Sequence, residues 1–175
     1  ATPRTVPLSA EERRIGRGGL EALATRPDGS LVMIAEARDG DATTAEAAIV
    51  GGPLFMVARR DGFAITGADI LPGGDMVIVE RRWRGGFDVA MRVRRIGVDA
   101  IASGVTADGP ILLEAGFSAE IDNMEAIAAE VGADGTIHLT LASDDNHSFL
   151  QRTLLLRFAI ADPLPRPKPR LLARG

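Results

Sequence analysis

Short apolar stretches that alternate with glycine turns are the feature that most constrains how this chain can fold. Stretches of strand length, rich in β-branched residues, lie at 31–37, 54–60, 63–66, 76–82, 88–96, 110–117, 136–143 and 152–160. Within 88–96, apolar residues alternate with Arg92 and Arg94, which is the period of a half-buried strand. Two segments of helix-forming composition, 19–26 and 123–131, are too short to form helices alone. The pattern predicts an all-β fold.

The turns belong to a repeated unit. Each unit has an acidic residue, a small apolar segment, a tight glycine turn and an apolar strand with a polar or acidic end. The turns are Asp28-Gly29, Gly73-Gly74, Asp134-Gly135 and a degenerate fourth, Asp108-Gly109. A spacing of a few tens of residues is typical of β-propeller blades, although Asp-Gly hairpins also occur in other all-β proteins. We expect about four propeller blades that are part of a larger propeller.

Composition narrows the classes of partner. The chain has 175 residues, 46% of them hydrophobic, which is enough for one domain with a sizeable core. Its net charge of −4 gives no electrostatic reason to expect a nucleic acid or an anionic membrane surface as partner. No cysteine is present, which excludes disulfides and thiolate metal sites. The chain contains no P-loop, no dinucleotide-binding fingerprint and no G-x-S-x-G elbow.

Acidic residues recur at similar places in the repeats. In a propeller the ends of the innermost strands point towards the central channel, so carboxylates at equivalent positions would converge there. Those that precede a repeat are Glu21, Asp69 and Glu125, and those that follow a strand are Glu36, Glu80 and Asp144. Hard oxygen ligands, with no cysteine and few histidines, favour Ca²⁺ or Mg²⁺ over zinc. Alternatively, each acid caps a turn or faces solvent.

The segment "SDDN" is the densest group of oxygen-bearing side chains. Asp144, Asp145 and Asn146 stand between two apolar strands, a pattern that indicates metal ligation or a buried turn network. The repeat should place them near Asn123 or Glu125. The candidate metal ligands are therefore Glu21, Asp69, Glu80, Asn123, Asp144, Asp145 and Asn146.

Four segments carry a resemblance to a known family. They are "GLEALA" (19–24), "LPGGDMVIVERR" (71–82), "NMEAIA" (123–128) and "SDDNHSFLQRTLLLRF" (143–158). Together they resemble the phytase-like family, whose bacterial members are described as "esterase-like activity of phytase". The resemblance implies a β-propeller-like domain over residues 15–161, related to calcium-dependent phytases and usually periplasmic or secreted. Residues 1–14 would then be an N-terminal extension, and 162–175 an extended tail rich in proline and arginine.

The family's domains are longer than this chain. A partial propeller would leave strand edges and an apolar blade face exposed, and such surfaces attract a partner. We therefore expect an open arc of blades that associates with a second copy or with a missing N-terminal portion.

Two functions remain open. The first is a Ca²⁺-assisted hydrolase of phosphate or other esters, acting on a small anionic or ester substrate. The second is a non-catalytic propeller module that binds a structural ion or has only a structural role. An enzyme would need the acids and an arginine around one open pocket, whereas scattered acids would favour the module.

The catalytic candidates are Glu125, His147 and Arg152. His147 lies beside two aspartates and is the better candidate for a general base, because the other histidine is in the middle of a predicted strand. Arg152, Arg81 or Arg82 could bind an anionic group bidentately. For Arg81 and Arg82, ion pairs with neighbouring acids are the alternative.

Overall fold

The computed structural model describes residues 5–37, 42–85, 88–102, 104–116, 118–147 and 151–160. The strands are β1 (Leu20–Thr25), β2 (Leu31–Ala35), β3 (Thr44–Ile49), β4 (Leu54–Ala58), β5 (Ala64–Ile70), β6 (Met76–Trp83), β7 (Val89–Ile96), β8 (Thr106–Ala107), β9 (Ile111–Gly116), β10 (Met124–Val131), β11 (Ile137–Ser143) and β12 (Leu155–Ile160). The helical elements are α1 (Ala10–Ile15), a 3-10 turn (Gly16–Gly18) and α2 (Val98–Ala102). The all-β prediction is confirmed, and both segments of helix-forming composition are strands, β1 and β10. The predicted tail at 162–175 lies outside the described residues.

The described strands form three sheets, which follow one another along the chain except that β8 returns to the first sheet. The first has the order β1-β2-β3-β4-β8, the second β5-β6-β7-β9 and the third β10-β11-β12, and none closes on itself. Neighbours pair antiparallel except β4 and β8, which are parallel. The first strands of the sheets pack together, β1 against β5 and β5 against β10. Whether the sheets are arranged as propeller blades remains a prediction.

The first two strands of each sheet are joined by the same kind of turn. In each, the fourth residue donates its N–H to the carbonyl of the first, and the first donates to the carbonyl of the fifth, over residues 26–30, 71–75 and 132–136. The fourth residue is a glycine with positive φ: 85° at Gly29, 93° at Gly74 and 83° at Gly135. A left-handed conformation suits glycine because it has no Cβ. Three of the four predicted turns are therefore equivalent hairpin turns.

The predicted fourth repeat is wrong. The turn at Asp108-Gly109 lies between β8, which pairs with β4 of the first sheet, and β9, which pairs with β7 of the second. Residues 106–116 thus cross from one sheet to the next and form no separate sheet. Asp-Gly indicates a turn, but the strands beside it need not pair with each other.

The second sheet is buried on both faces. On one face, Val77, Val79, Met91 and Val93 belong to a core that also contains Ile137, Leu139 and Leu141 of the third sheet. On the other, Met76, Ile78 and Ile96 belong to the core shared with the first sheet. The prediction that β7 is half-buried with its arginines outside is therefore wrong, because Arg92 and Arg94 are both 0% exposed. No helix within the described ranges is long and apolar enough to cross a membrane.

Candidate functional site

A β-bulge interrupts the first strand of each sheet at the same place. The register of β1 with β2 shifts around Glu21, that of β5 with β6 around Thr66, and that of β10 with β11 around Glu125. A bulge leaves one residue out of the ladder and re-aims its side chain, and bulges are frequent beside active sites. Glu21, Thr66 and Glu125 are therefore equivalent positions of the three repeats.

The second strands supply another set of equivalent positions. Glu36 pairs with Gly19 through its N–H, Arg81 is opposite Ala64, and Asp144 donates its N–H to Asn123. Glu36, Arg81 and Asp144 thus each stand opposite a residue that comes just before the bulge of the first strand. In the second sheet these two positions are Thr66 and Arg81. The internal repeats of the sequence instead place Asp69 and Glu80 at these positions, because they match acidic residues and do not reveal the bulge.

A cleft lies between the first and second sheets. Its volume is about 340 Å³, and its polar lining is Glu21, Glu36, Arg59, Thr66 and Arg81. Arg59 lies just after β4 and donates from Nη1 to the carbonyl of Ala42 at 2.8 Å. Three strands and two strand ends thus place two carboxylates, two guanidinium groups and Thr66 around one open space.

Arg81 connects this cleft to the third sheet. Its Nη2 lies 3.3 Å from Glu125 Oε1, and the two side chains are 36% and 32% exposed. The bulge of β10 therefore places Glu125 against Arg81, and Glu21, at the bulge of β1, lines the same cleft as that arginine. Of the predicted residues, these two are brought together by the fold.

The pKa of the Glu21 carboxyl group is raised in the folded chain. Burial raises the pKa of its carboxyl group, the negative charges of Glu36 and Glu125 raise it further, and Arg81 partly opposes them. Carboxyl groups with a raised pKa in a cleft are frequent among catalytic acids and bases.

Asp69, a predicted metal ligand, has a structural role. Its Oδ1 accepts the N–H of Ile70 at 2.8 Å, and its Oδ2 accepts the N–H of Ala129 at 2.7 Å. Ala129 lies on β10, so the carboxylate joins the second sheet to the third.

Glu80, also a predicted ligand, is paired with two buried arginines. Its side chain is 0% exposed, and it accepts hydrogen bonds from Arg92 Nε at 2.6 Å and Arg94 Nε at 2.7 Å. The outer ends of the arginines reach Asp61 and Asp108. Arg92 also lies over the ring of Phe63, with its Cζ 4.2 Å from the centroid. This network gives the two buried arginines carboxylate partners, and it pairs the Glu80 carboxylate with two guanidinium groups.

The "SDDN" segment forms a hydrogen-bonded turn at the end of β11. Asp144 Oδ1 accepts the N–H of Asn146 at 3.0 Å, and Asp145 Oδ1 accepts the N–H of His147 at 2.9 Å. Asn146 and His147 have φ values of 49° and 56°. The prediction that this segment lies beside Asn123 is confirmed by the 3.0 Å hydrogen bond from Asp144 N–H to the Asn123 carbonyl. Its two aspartates therefore cap the turn.

The other predicted site residues lie outside the cleft. His147 and Arg152 are exposed on either side of the loop between β11 and β12, and neither lines the cleft. Asn123 is 4% exposed at the start of β10. Of the three arginines considered for anion binding, Arg81 pairs with Glu125 and Arg82 lies 3.6 Å from Asp88, as the ion-pair alternative predicted for these two. The catalytic roles of Glu125, His147 and Arg152 remain predictions.

The acidic side chains of the described ranges do not gather as metal ligands in this arrangement. In the part of the chain that the structure describes, no three acidic or histidine side chains come close enough together to hold a metal ion. The oxygen atoms of Asp69, Glu80, Asp144 and Asp145 already accept hydrogen bonds within the fold. Calcium binding by these residues remains a prediction.

Comparison with known proteins agrees with the sequence motifs. The family model "Phytase-like: Esterase-like activity of phytase" matches residues 1–147. The chain belongs to the phytase-like family. No curated protein and no solved structure matches it.

Two site residues of this phytase-like chain were missed by sequence reasoning. Thr66 is neutral and Arg59 follows an unremarkable apolar strand, so neither matched the acidic pattern. The glycine turns that precede the second strands could have identified Thr66. It lies five residues before the first turn residue, Leu71, as Glu21 lies five before Arg26.

Proposed function

We propose that this chain is a hydrolase of phosphate or other esters and that the cleft between the first and second sheets is its site. The observation that carries the proposal is that Glu21, Glu36, Arg59 and Arg81 line one cleft, at whose edge Arg81 pairs with Glu125. Membership of the phytase-like family supports an ester substrate at the family level.

The chemistry follows from the charges around the cleft. Glu21, whose pKa is raised, can exchange a proton with an attacking water or with a leaving oxygen. Arg81 and Arg59 can stabilise the negative charge that develops on an ester oxygen or a phosphoryl group. Glu125 holds Arg81 by its charge and thereby orients the guanidinium group.

Calcium assistance, expected from the family resemblance, is part of the hypothesis but not of these steps. Glu21, Glu36 and Glu125 have the oxygen atoms that Ca²⁺ prefers. Because no three such side chains of the described residues lie together as ligands, the steps above use the chain's own groups.

An activity assay tests the proposal. A panel of phosphate monoesters and carboxylic esters should be assayed with calcium and with chelator. We expect Glu21→Gln to lower kcat by about a hundredfold, as the loss of a proton-transfer group does. Matched controls come from Glu130 and Arg157, an exposed ion pair with no contact to the cleft. Glu130→Gln and Arg157→Gln should keep full activity, and equal losses in controls and test variants would contradict the proposal.

The second candidate is a non-catalytic propeller module. It is favoured by the structural roles of Asp69 and Glu80, two predicted ligands that hold sheets and side chains together. Two results together would favour this candidate. No ester of the panel would be hydrolysed, and calorimetry would show phosphate binding that Arg81→Gln abolishes.

The blade arrangement and the cellular location are further parts of the proposal. The packing of β5 between β1 and β10 suits the inner strands of propeller blades. Small-angle scattering of the natural full-length protein would test the propeller. Fractionation of cells that express it would test the periplasmic or secreted location expected from the family.

A further inference from the structure

The seam between β5 and β10 contains a buried hydroxyl group. Thr66 is 4% exposed, and its Oγ1 donates a 2.7 Å hydrogen bond to the carbonyl of Met124. That carbonyl belongs to the peptide that leads into Glu125. The bulge residue of the second sheet therefore binds the backbone directly before the bulge residue of the third.

The two strands are in close contact at the next residue. A Cβ atom at Gly67 would lie 3.2 Å from the carbonyl oxygen of Glu125 and 3.3 Å from Cα of Ala126. These distances are tighter than ordinary van der Waals contact, so a Cβ at this position would require β10 or the side chain of Val79 to shift by a few tenths of an ångström. Further along, Asp69 accepts the N–H of Ala129 at 2.7 Å.

The seam sets the distance between the groups of the candidate site. Arg81 is fixed to β5 by the ladder, opposite Ala64, whereas Glu125 belongs to β10 of another sheet. A shift of β10 along or away from β5 would move the Glu125 carboxylate relative to Arg81. The hydrogen bond from Thr66 is the polar contact of the seam that lies nearest to Glu125.

We infer that Thr66 is a positioning residue for the Glu125–Arg81 pair, an inference that rests on the proposed function of the cleft. Its hydroxyl holds β10 at the bulge so that the Glu125 carboxylate meets the guanidinium group of Arg81. Without the hydroxyl, the carbonyl of Met124 loses this hydrogen bond, and the backbone at the bulge can relieve that loss by moving.

The experiment compares Thr66→Val with Thr66→Ser and with Thr136→Val. Valine keeps the shape of threonine without the hydroxyl, and serine keeps the hydroxyl. Thr136 is the matched control, because its Oγ1 bonds only to Asp134 within an exposed turn. The first readout is the ¹⁵N NMR signal of the Arg81 guanidinium group, assigned with Arg81→Lys. An ion pair with Glu125 slows rotation of that group, and Glu125→Gln gives the reference for its loss.

We expect Thr66→Val to shift the Arg81 signal towards that of Glu125→Gln, and Thr66→Ser and Thr136→Val to retain the wild-type signal. In the ester assay, Thr66→Val should lower kcat about tenfold with little change in KM, and Thr66→Ser should restore it. An unchanged Arg81 signal in folded Thr66→Val would overturn the inference.

The NMR result does not depend on turnover, so the inference and the proposed function can fail separately. A shifted signal in a protein that hydrolyses no ester would contradict the proposed function and leave the positioning role intact. If Thr66→Val does not fold, Gly67→Ala replaces it, because the added methyl group pushes β5 and β10 apart while the hydroxyl is retained. The same shift of the Arg81 signal is then expected, and its absence would again overturn the inference.

Discussion

The N–H of Ala129 donates a 2.7 Å hydrogen bond to Asp69 Oδ2, so one carboxylate of β5 is bound to the backbone of β10. The second oxygen of the same carboxylate accepts the N–H of Ile70. A side chain that resembled a metal ligand in the sequence therefore links two sheets. Substitutions can test three features separately: this link, the buried ion network of Glu80, and the carboxylates around Arg81.

Asp69→Ala should destabilise the fold by about 1–3 kcal/mol, because a partly buried N–H of Ala129 loses its acceptor. Chemical denaturation monitored by circular dichroism measures the change in the free energy of unfolding. Glu130→Ala, which removes only an exposed ion pair on β10, should change it by less than about 1 kcal/mol. Equal effects of the two substitutions would contradict the link between the sheets.

Glu80→Gln should cost about 3–5 kcal/mol, because two buried guanidinium groups lose the carboxylate between them. Glu130→Gln is the matched control, because it alters only an exposed ion pair on β10, and its effect should be less than about 1 kcal/mol. The measurement is again the free energy of unfolding. A loss below 1 kcal/mol, on the order of an exposed pair, would show that the network is not buried in solution.

The raised pKa of Glu21 predicts the direction in which the free energy of unfolding changes with pH. Because the folded state raises the pKa of its carboxyl group, the unfolded state loses this proton first. The contribution of Glu21 to stability is thus fully present below the unfolded pKa of about 4.3 and is lost as the pH rises through the folded pKa. Glu21→Gln should remove that loss and be more stable than the wild type at pH 7. Parallel stability curves for the two proteins between pH 4 and 8 would refute the raised pKa.

The calcium hypothesis predicts that millimolar Ca²⁺ raises Tm, because the ion would bind only the folded chain. If Asp144 and Asp145 are its ligands, the double substitution to asparagine abolishes the rise by removing two anionic ligands. If the ion binds in the cleft, Glu21→Gln with Glu36→Gln abolishes it instead. Scanning calorimetry with calcium and with chelator distinguishes the two sites, and an unchanged Tm of the wild type would end the hypothesis.

Self-association is expected from the open sheets. Among the described strands, β12 is at the edge of the third sheet, and its Leu155 is 75% exposed. Exposed apolar edges pair with other strands, and a charged side chain there prevents it. Light scattering should show a dimer or larger species that Leu155→Lys dissociates. Val105→Lys is the control at an exposed position outside any strand. A monodisperse wild-type monomer would contradict this expectation.

The local features of the sequence determined most of the fold. Alternating apolar residues and glycine turns predicted the all-β class, and Gly29, Gly74 and Gly135 occupy equivalent hairpin turns. Such features depend on a few neighbouring residues, because strand period and positive φ are local properties of the chain. The same local rule failed at Gly109, where the strands on either side pair with different sheets.

The tertiary structure decided which acidic residues share a site. A bulge shifts the register by one residue, and strand pairing shows that Thr66 and Arg81 are the equivalents of Glu21 and Glu36. The burial of Arg92 and Arg94 likewise depends on the tertiary structure. Glu80 on the neighbouring strand pairs with both arginines, and the first and third sheets cover the two faces of their sheet. The sequence by itself determined the strands, the turns and the family. The packing of the sheets decided which carboxylates are structural and which face the cleft, because that depends on contacts between residues far apart in the chain.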